Sequence, residues 1–130
     1  MPEARKFIWS AIAMEELAPR LSRKLVYNDH LMLAQVFLKK GFVVPAHEHV
    51  NEQGTYILEG CLRFWLGEHA DNPGDEFVDI HSGEVLMIPG GVRHRAEALE
   101  DTLDLDVFTP PRQDWINKED AYLRGGAQHK

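Results

Sequence analysis

Apolar and polar residues alternate along much of the chain in short runs that Gly and Pro separate. Leu62, Phe64 and Leu66, for example, alternate with residues of different character, which is the two-residue period of a β-strand. No long stretch sustains a helical period. Short strands between Gly and Pro turns predict an all-β barrel or sandwich. Further strands are predicted at 22–27, 31–38, 55–58, 77–80 and within 98–112.

Two short helical pieces are predicted near the ends of the chain. Ser10 can cap a helical turn over 10–17, because Ala, Met and Glu favour helix, and Pro19 ends that turn. Near the other end, 120–124 is expected to pack as a short helix before Gly125 and Gly126 free the end of the chain.

Length and composition indicate one globular domain. The chain has 130 residues, of which 44% are hydrophobic. We therefore expect a single domain over 1–130, with a barrel core from about 20 to 115 and a tail from 116 to 130. The chain carries 21 acidic and 14 basic residues, for a net charge of −7, which disfavours a nucleic-acid partner.

Cysteine content and hydropathy indicate a cytoplasmic location without membrane insertion. Cys61 is the single cysteine, so no intramolecular disulfide can form. The apolar run 7–14 ends at Glu15, and no apolar segment approaches the roughly twenty residues of a membrane span. Cys61 is interpreted as an ordinary strand residue, with a catalytic thiol as a minor alternative because it would need an activating base.

The run 41–60 carries the most informative chemistry. In an extended chain, His47 and His49 point to the same face, while Glu48 points away. Gln53 follows after a short connection and opens a strand, and a hairpin would carry it back beside the two histidines. This predicts half of a metal site.

A second segment, 83–94, completes the ligand set with His94. Imidazole suits divalent zinc, nickel, iron or copper, and an amide oxygen suits manganese, so the metal identity stays open. The other four histidines are interpreted as ordinary residues of turns, loops or the tail. They are His30, His69, His81 and His129.

These two segments resemble the motifs of the cupin family. The first run fits Gly41, the pair His47 and His49, and Gly60, with Gln53 where the family usually has Glu. The second fits Gly83, a Pro-x-Gly turn and His94. The resemblance implies a single-domain cupin, a double-stranded β-helix or jelly-roll barrel, with a divalent metal ion held by His47, His49, Gln53 and His94.

The strand within 98–112 places Asp104, Asp106 and Phe108 on one face. Taken alone, this pattern is typical of an acidic face turned to solvent. However, the stretch 106–112 is similar to the small pectin-degradation cupins that linearise unsaturated uronates, over about 20–115. That resemblance implies that Asp106, Phe108 and Arg112 line the barrel mouth near the metal. The longer loop 67–75 and the tail from 117 depart from that family.

The same resemblance predicts a homodimer. If Asp106 and Phe108 face the barrel interior, Leu103, Leu105 and Val107 face outward and need a cover. A second copy of the chain would supply it, although the N-terminal segment is an alternative cover.

The function that the resemblance implies is ring opening of 4,5-unsaturated monouronates from pectin or alginate breakdown. Asp106 would transfer the proton, Arg112 would bind the substrate carboxylate and Phe108 would pack on the sugar ring. Another metal-dependent small-molecule enzyme, such as a cupin dioxygenase or isomerase, is the first alternative. A non-catalytic metal- or sugar-binding module is the second.

Overall fold

In the part of the chain that the structure describes, ten antiparallel strands form two sheets that enclose one hydrophobic core. The computed structural model describes residues 3–124. Six strands form one sheet in the order β1-β2-β3-β10-β5-β8, and four form the other in the order β4-β9-β6-β7. The strands are β1 Glu15–Ala18, β2 Leu21–Tyr27, β3 Met32–Leu38, β4 Val43–His47, β5 Glu52–Glu59, β6 Cys61–Leu66, β7 Val78–His81, β8 Val85–Ile88, β9 His94–Ala98 and β10 Thr102–Thr109. The predicted all-β barrel is confirmed.

The helical pieces are short. One α-helix, α1, spans Gln113–Ile116, and 3₁₀ turns span Trp9–Ala11, Gly67–Ala70 and Ala121–Leu123. The last of these agrees with the helix predicted at 120–124, whereas the predicted freeing of the chain at Gly125 and Gly126 lies outside the described residues. Within 3–124, no helix is long and apolar enough to cross a membrane.

The prediction of a helical turn over 10–17 is wrong in its extent. Only Trp9–Ala11 is helical, and the residues from Glu15 form β1, where Glu15 pairs with Arg23 of β2. Pairing with β2 buries Leu17 and Ala18. This tertiary burial outweighs the helix propensity of the segment.

Strand β10 lies between β3 and β5 in the middle of the larger sheet. Its residues alternate, with Thr102, Asp104, Asp106 and Phe108 buried and the residues between them half-buried. The interpretation of this strand as a solvent-facing acidic face is therefore wrong. The strand instead turns two carboxylates and an aromatic ring into the barrel.

Both chain segments that carry predicted metal ligands cross from one sheet to the other. β4 pairs with β9, whereas the next strand, β5, pairs with β8 and β10. The prediction of a β4–β5 hairpin is wrong, because the two strands belong to different sheets. The connection from β8 to β9 also crosses between the sheets. We call the β4–β5 and β8–β9 connections the two corners, and they meet at one end of the barrel.

Candidate metal centre

Three histidines converge at this end of the barrel. His47 ends β4 and pairs in register with His94 at the start of β9, while His49 lies in the connection to β5. The ring centroids lie 4.3 Å apart for His47 and His94, 5.0 Å for His49 and His94, and 5.6 Å for His47 and His49. One ring nitrogen from each histidine lies within 4.8 Å of the others. This spacing suits a single metal ion.

Backbone carbonyls fix the orientation of all three rings. The Nδ1 of His47 contacts the oxygen of Pro45 at 2.8 Å, that of His49 contacts Asn51 at 3.1 Å, and that of His94 contacts Val92 at 2.9 Å. A carbonyl accepts only, so Nδ1 carries the proton in each ring. The Nε2 lone pairs are therefore left for a metal, in the arrangement common to histidine ligands.

The environment keeps these imidazoles neutral. Burial, with the nearby His94, lowers the pKa of His47 to about 3. Burial, with the Arg112 charge, lowers the pKa of His49 to about 4. Burial also lowers the pKa of His94. Neutral imidazole is the form that binds metal, so protons do not compete for this site near neutral pH.

A line of hydrogen bonds turns the amide oxygen of Gln53 toward the three histidines. Thr55 donates its hydroxyl proton to Asp106 at 2.8 Å and accepts the amide N–H of Gln53 at 2.9 Å. The Gln53 Oε1 atom is thereby turned toward Nε2 of His49, 3.0 Å away. Both atoms are acceptors when His49 carries its proton on Nδ1. Two acceptors 3.0 Å apart can be adjacent ligands of one cation that lies to the side of the line joining them.

The two corners are tied together beside the ligands. The backbone N–H of Gly91 donates to the carbonyl of His49 at 2.8 Å, and that of Gly90 donates to the Glu52 carboxylate. A Cβ atom at Gly90 would collide with the Val50 carbonyl, so glycine is needed for this close approach. Glu48 points outward, as predicted, and lies 3.7 Å from Arg93.

A small cavity opens beside the histidines, inside the barrel. Its volume is about 50 Å³, enough for a few water molecules. His47, His94 and Gln53 lie in its wall with the predicted site residues Asp106, Phe108 and Arg112. The structure thus brings all the predicted site residues to one end of the barrel.

Asp104 is a cavity residue that the site prediction omitted. It lies two residues from Asp106 on the same face of β10, and both carboxylates are buried. Burial raises the pKa of both groups, and the charge of Asp106 raises that of Asp104 further. One oxygen of Asp104 has no hydrogen-bond partner among the described residues. The two-residue period of a β-strand had predicted that Asp104 lies on the same face as Asp106.

Tyr122 is a second omitted residue, and no motif marks it. Its ring centroid lies 4.7 Å from that of His47, and its hydroxyl accepts a hydrogen bond from Arg112 at 2.8 Å. Nε and Nη2 of Arg112 also donate to Asp114, at 3.0 and 2.8 Å. One edge of the guanidinium is thus bound within the chain.

The other described histidines and the cysteine lie apart from this cluster. His30 and His81 are exposed, His69 is partly exposed, and His129 lies outside the described residues. Cys61 is a buried residue of β6, and burial raises the pKa of its thiol. A thiol with a raised pKa is a poor nucleophile, which disfavours the catalytic alternative.

Comparison with known proteins agrees with this architecture. The Cupin domain family model matches residues 34–109. The structure is similar to that of KdgF from Halomonas sp., with a TM-score of 0.76 and 28% identity, over 87% of this chain and 99% of that one. An RmlC-like cupin from Shewanella frigidimarina gives a TM-score of 0.75 and 21% identity, over 87% and 96% of the two chains.

More distant similarity extends to a larger protein. Oxalate decarboxylase from Bacillus subtilis, which has Mn(II) centres, gives a TM-score of 0.73 and 20% identity over 88% of this chain but only 32% of that one. Identity at this level shows a shared fold. No curated protein sequence matches the chain at a significant level.

Proposed function

This chain belongs to the cupin family, and from that premise we propose that it is a metal-dependent enzyme that opens the ring of 4,5-unsaturated monouronates. The product is the open-chain 4-deoxy-5-keto uronate. Two things support the proposal: the resemblance of 106–112 to the pectin-degradation cupins, and the similarity to Halomonas KdgF at 28% identity. The observation that carries it is the buried line from Asp106 through Thr55 and Gln53 to His49.

His47, His49, His94 and Gln53 would hold a divalent ion, with zinc, nickel, manganese and iron all compatible with these ligands. All four ligands are neutral, so a bound ion keeps its full charge and supplies electrostatic stabilisation to an oxygen that becomes negative. The Nδ1 contacts with backbone carbonyls hold the three rings in place. The site is thereby preorganised by the fold.

Phe108 and Arg112 would bind and orient the substrate. Phe108 is 1% exposed, and its ring lies edge-on to His49 with a centroid distance of 5.7 Å. The Arg112 guanidinium lies 5.1 Å from the Phe108 ring centroid. Because Nε and Nη2 already bind Asp114 and Tyr122, Nη1 is the nitrogen that remains for the substrate carboxylate.

Asp106 would move the proton. It takes the proton of the anomeric hydroxyl as C1 becomes a carbonyl, and the bond between C1 and the ring oxygen breaks. The electron pair then lies on the ring oxygen and C4 as an enolate, and Asp106 returns the proton to C4. The product is an isomer of the substrate, so no oxidant or reductant is needed. Burial raises the Asp106 pKa toward the range in which a carboxylate both accepts and donates a proton.

The test is the ultraviolet absorbance of the conjugated double bond in an unsaturated monouronate. The metal-loaded protein should remove this absorbance faster than the spontaneous reaction. Chelation should abolish the acceleration, and Asp106→Asn should slow it by about 10²-fold or more. Asp29→Asn, the same change at an exposed turn, should leave the rate unchanged. No acceleration by the metal-loaded protein would refute the proposed reaction.

A further inference from the structure

The C-terminal segment, defined here as residues 113–124, lies against the cavity beside the histidines, which Trp115, Tyr122 and Leu123 help to line. It places Tyr122 in the wall of the cavity that His47, His94 and Arg112 also line. The Tyr122 ring lies 4.7 Å from the His47 ring, between centroids, with an angle of 35° between their planes. A candidate metal ligand is thus covered by a residue that lies far along the chain from both cupin motifs.

The hydroxyl of Tyr122 accepts two hydrogen bonds from neighbouring side chains. Arg112 donates to it through Nη2 at 2.8 Å, and Trp115 donates through its indole N–H at 3.4 Å. A hydroxyl that accepts two hydrogen bonds retains its own proton as a donor. That proton is available to an oxygen atom of a ligand in the cavity.

Buried charges anchor the segment to the barrel. Asp120 and Arg23 of β2 are both fully buried and form an ion pair. Arg124 donates to Asp120 at 2.6 Å and to Glu15 of β1 at 2.8 Å. A pair this deeply buried is costly to separate, so the segment is an integral part of the fold.

We propose that Tyr122 is a specificity-determining residue, which closes the barrel mouth over His47, donates a hydrogen bond to the ligand, and limits the site to a single acidic sugar ring. The class of ligand rests on the proposed function, whereas the closure of the barrel mouth does not. The cavity has a volume of about 50 Å³ with Tyr122 in its wall, so a sugar ligand would enter by displacing water and by moving the Tyr122 side chain aside. A second sugar ring would have to occupy the space that Tyr122 fills.

Closure is tested without turnover, by the rate at which a chelator removes metal from the loaded protein. Tyr122→Ala should lose metal about tenfold faster, because the mouth no longer needs to open first. Tyr122→Phe keeps the ring and should lose metal at the unaltered rate. Tyr27→Ala, at a tyrosine at the end of β2 that is 44% exposed, is the matched control. Equal rates for Tyr122→Ala and the unaltered protein would overturn the closure.

Specificity is tested by calorimetric binding of galacturonate and digalacturonate to the metal-loaded protein. The unaltered protein should bind the single ring and discriminate against the double ring, and Tyr122→Ala should lose that discrimination. Tyr122→Phe should weaken binding of the single ring by about tenfold, through loss of one hydrogen bond. If Tyr122→Ala reduces the folded fraction, Tyr122→Leu replaces it. Unchanged discrimination would overturn the proposal, whereas failure of the ultraviolet assay alone would overturn only the proposed reaction.

Discussion

His49 is the residue at which the metal interpretation is most directly tested. Its Nε2 faces the Gln53 amide oxygen at 3.0 Å, and its low pKa keeps that nitrogen unprotonated. We expect His49→Ala to lose bound metal while remaining folded, because the ring is only half-buried and leaves the core intact. Metal content by elemental analysis, beside circular dichroism, measures both outcomes.

The matched control for this substitution is His81→Ala, which removes an exposed imidazole at the end of β7. It should retain full metal content. Full occupancy in His49→Ala would contradict the assignment of this site, and loss of metal in both variants would indicate a general effect on the fold.

At the scale of elements, the contact between β1 and the C-terminal segment depends on one carboxylate. Burial raises the pKa of Glu15, but hydrogen bonds from Arg124, Lys118 and Arg23 outweigh that effect and lower it from 4.5 to about 2. The pKa is lower in the folded than in the unfolded protein. Glu15 therefore contributes stability that is fully present above pH 4.5 and is lost as the pH falls toward 2.

We expect Glu15→Gln to lower the free energy of unfolding by about 2 kcal/mol at neutral pH, because three cations lose a common partner. The loss should shrink as the pH falls from 4.5 toward 2, where Glu15 of the unaltered protein also becomes neutral. Urea unfolding across this range measures the difference. Glu16→Gln, at the exposed neighbouring residue, should show neither effect. A difference that is independent of pH would contradict the role of the Glu15 charge.

The elements also differ in how far the sequence could predict them. The alternation in β10 was sufficient to put Asp104, Asp106 and Phe108 on one face, and the resemblance decided that this face lies inside. The crossing between β4 and β5 could not be predicted from the sequence, since a short connection between two strands equally suits a hairpin. Only the pairing of β4 with β9 and of β5 with β8 distinguishes the two.

The candidate metal ligands could be predicted from the sequence, whereas Tyr122 could not. The spacing of His47, His49 and His94 is sufficient to mark them as candidate ligands, because all three lie within two short motifs. Tyr122 carries no such mark. The buried ion pair between Arg23 and Asp120, which are 97 positions apart, holds the segment that carries Tyr122 at the site. Long-range pairing of this kind leaves no local sequence pattern.

At the scale of the whole molecule, we expect residues 1–130 to act as one domain that forms a homodimer through the outer face of the larger sheet. Phe7 and neighbouring N-terminal residues lie against the β2 and β3 part of this face, near Val26 and Leu33. The β10, β5 and β8 part keeps apolar side chains that are half-buried or exposed. They are Leu103, Leu105, Val107, Tyr56, Val85 and Met87. A contiguous apolar patch of this kind is typical of an interface.

Sedimentation velocity should therefore show a dimer, and Met87→Asp should shift it toward a monomer. Met87 is 69% exposed in the single chain, so the change should leave the fold intact while it introduces a charge into the interface. Val78→Asp, at an exposed residue on the edge strand of the smaller sheet, should remain dimeric. A monomeric unaltered protein would contradict the expected assembly.

The crossing of both motif corners from one sheet to the other has a mechanical consequence. His47 and His94 belong to strands of the smaller sheet, and Gln53 belongs to the larger one. A metal ion held by these three residues would therefore be bound to both sheets at once. Such an ion would cross-link the two sheets. The rate at which it dissociates would therefore measure how often the sheets move apart at this end of the barrel.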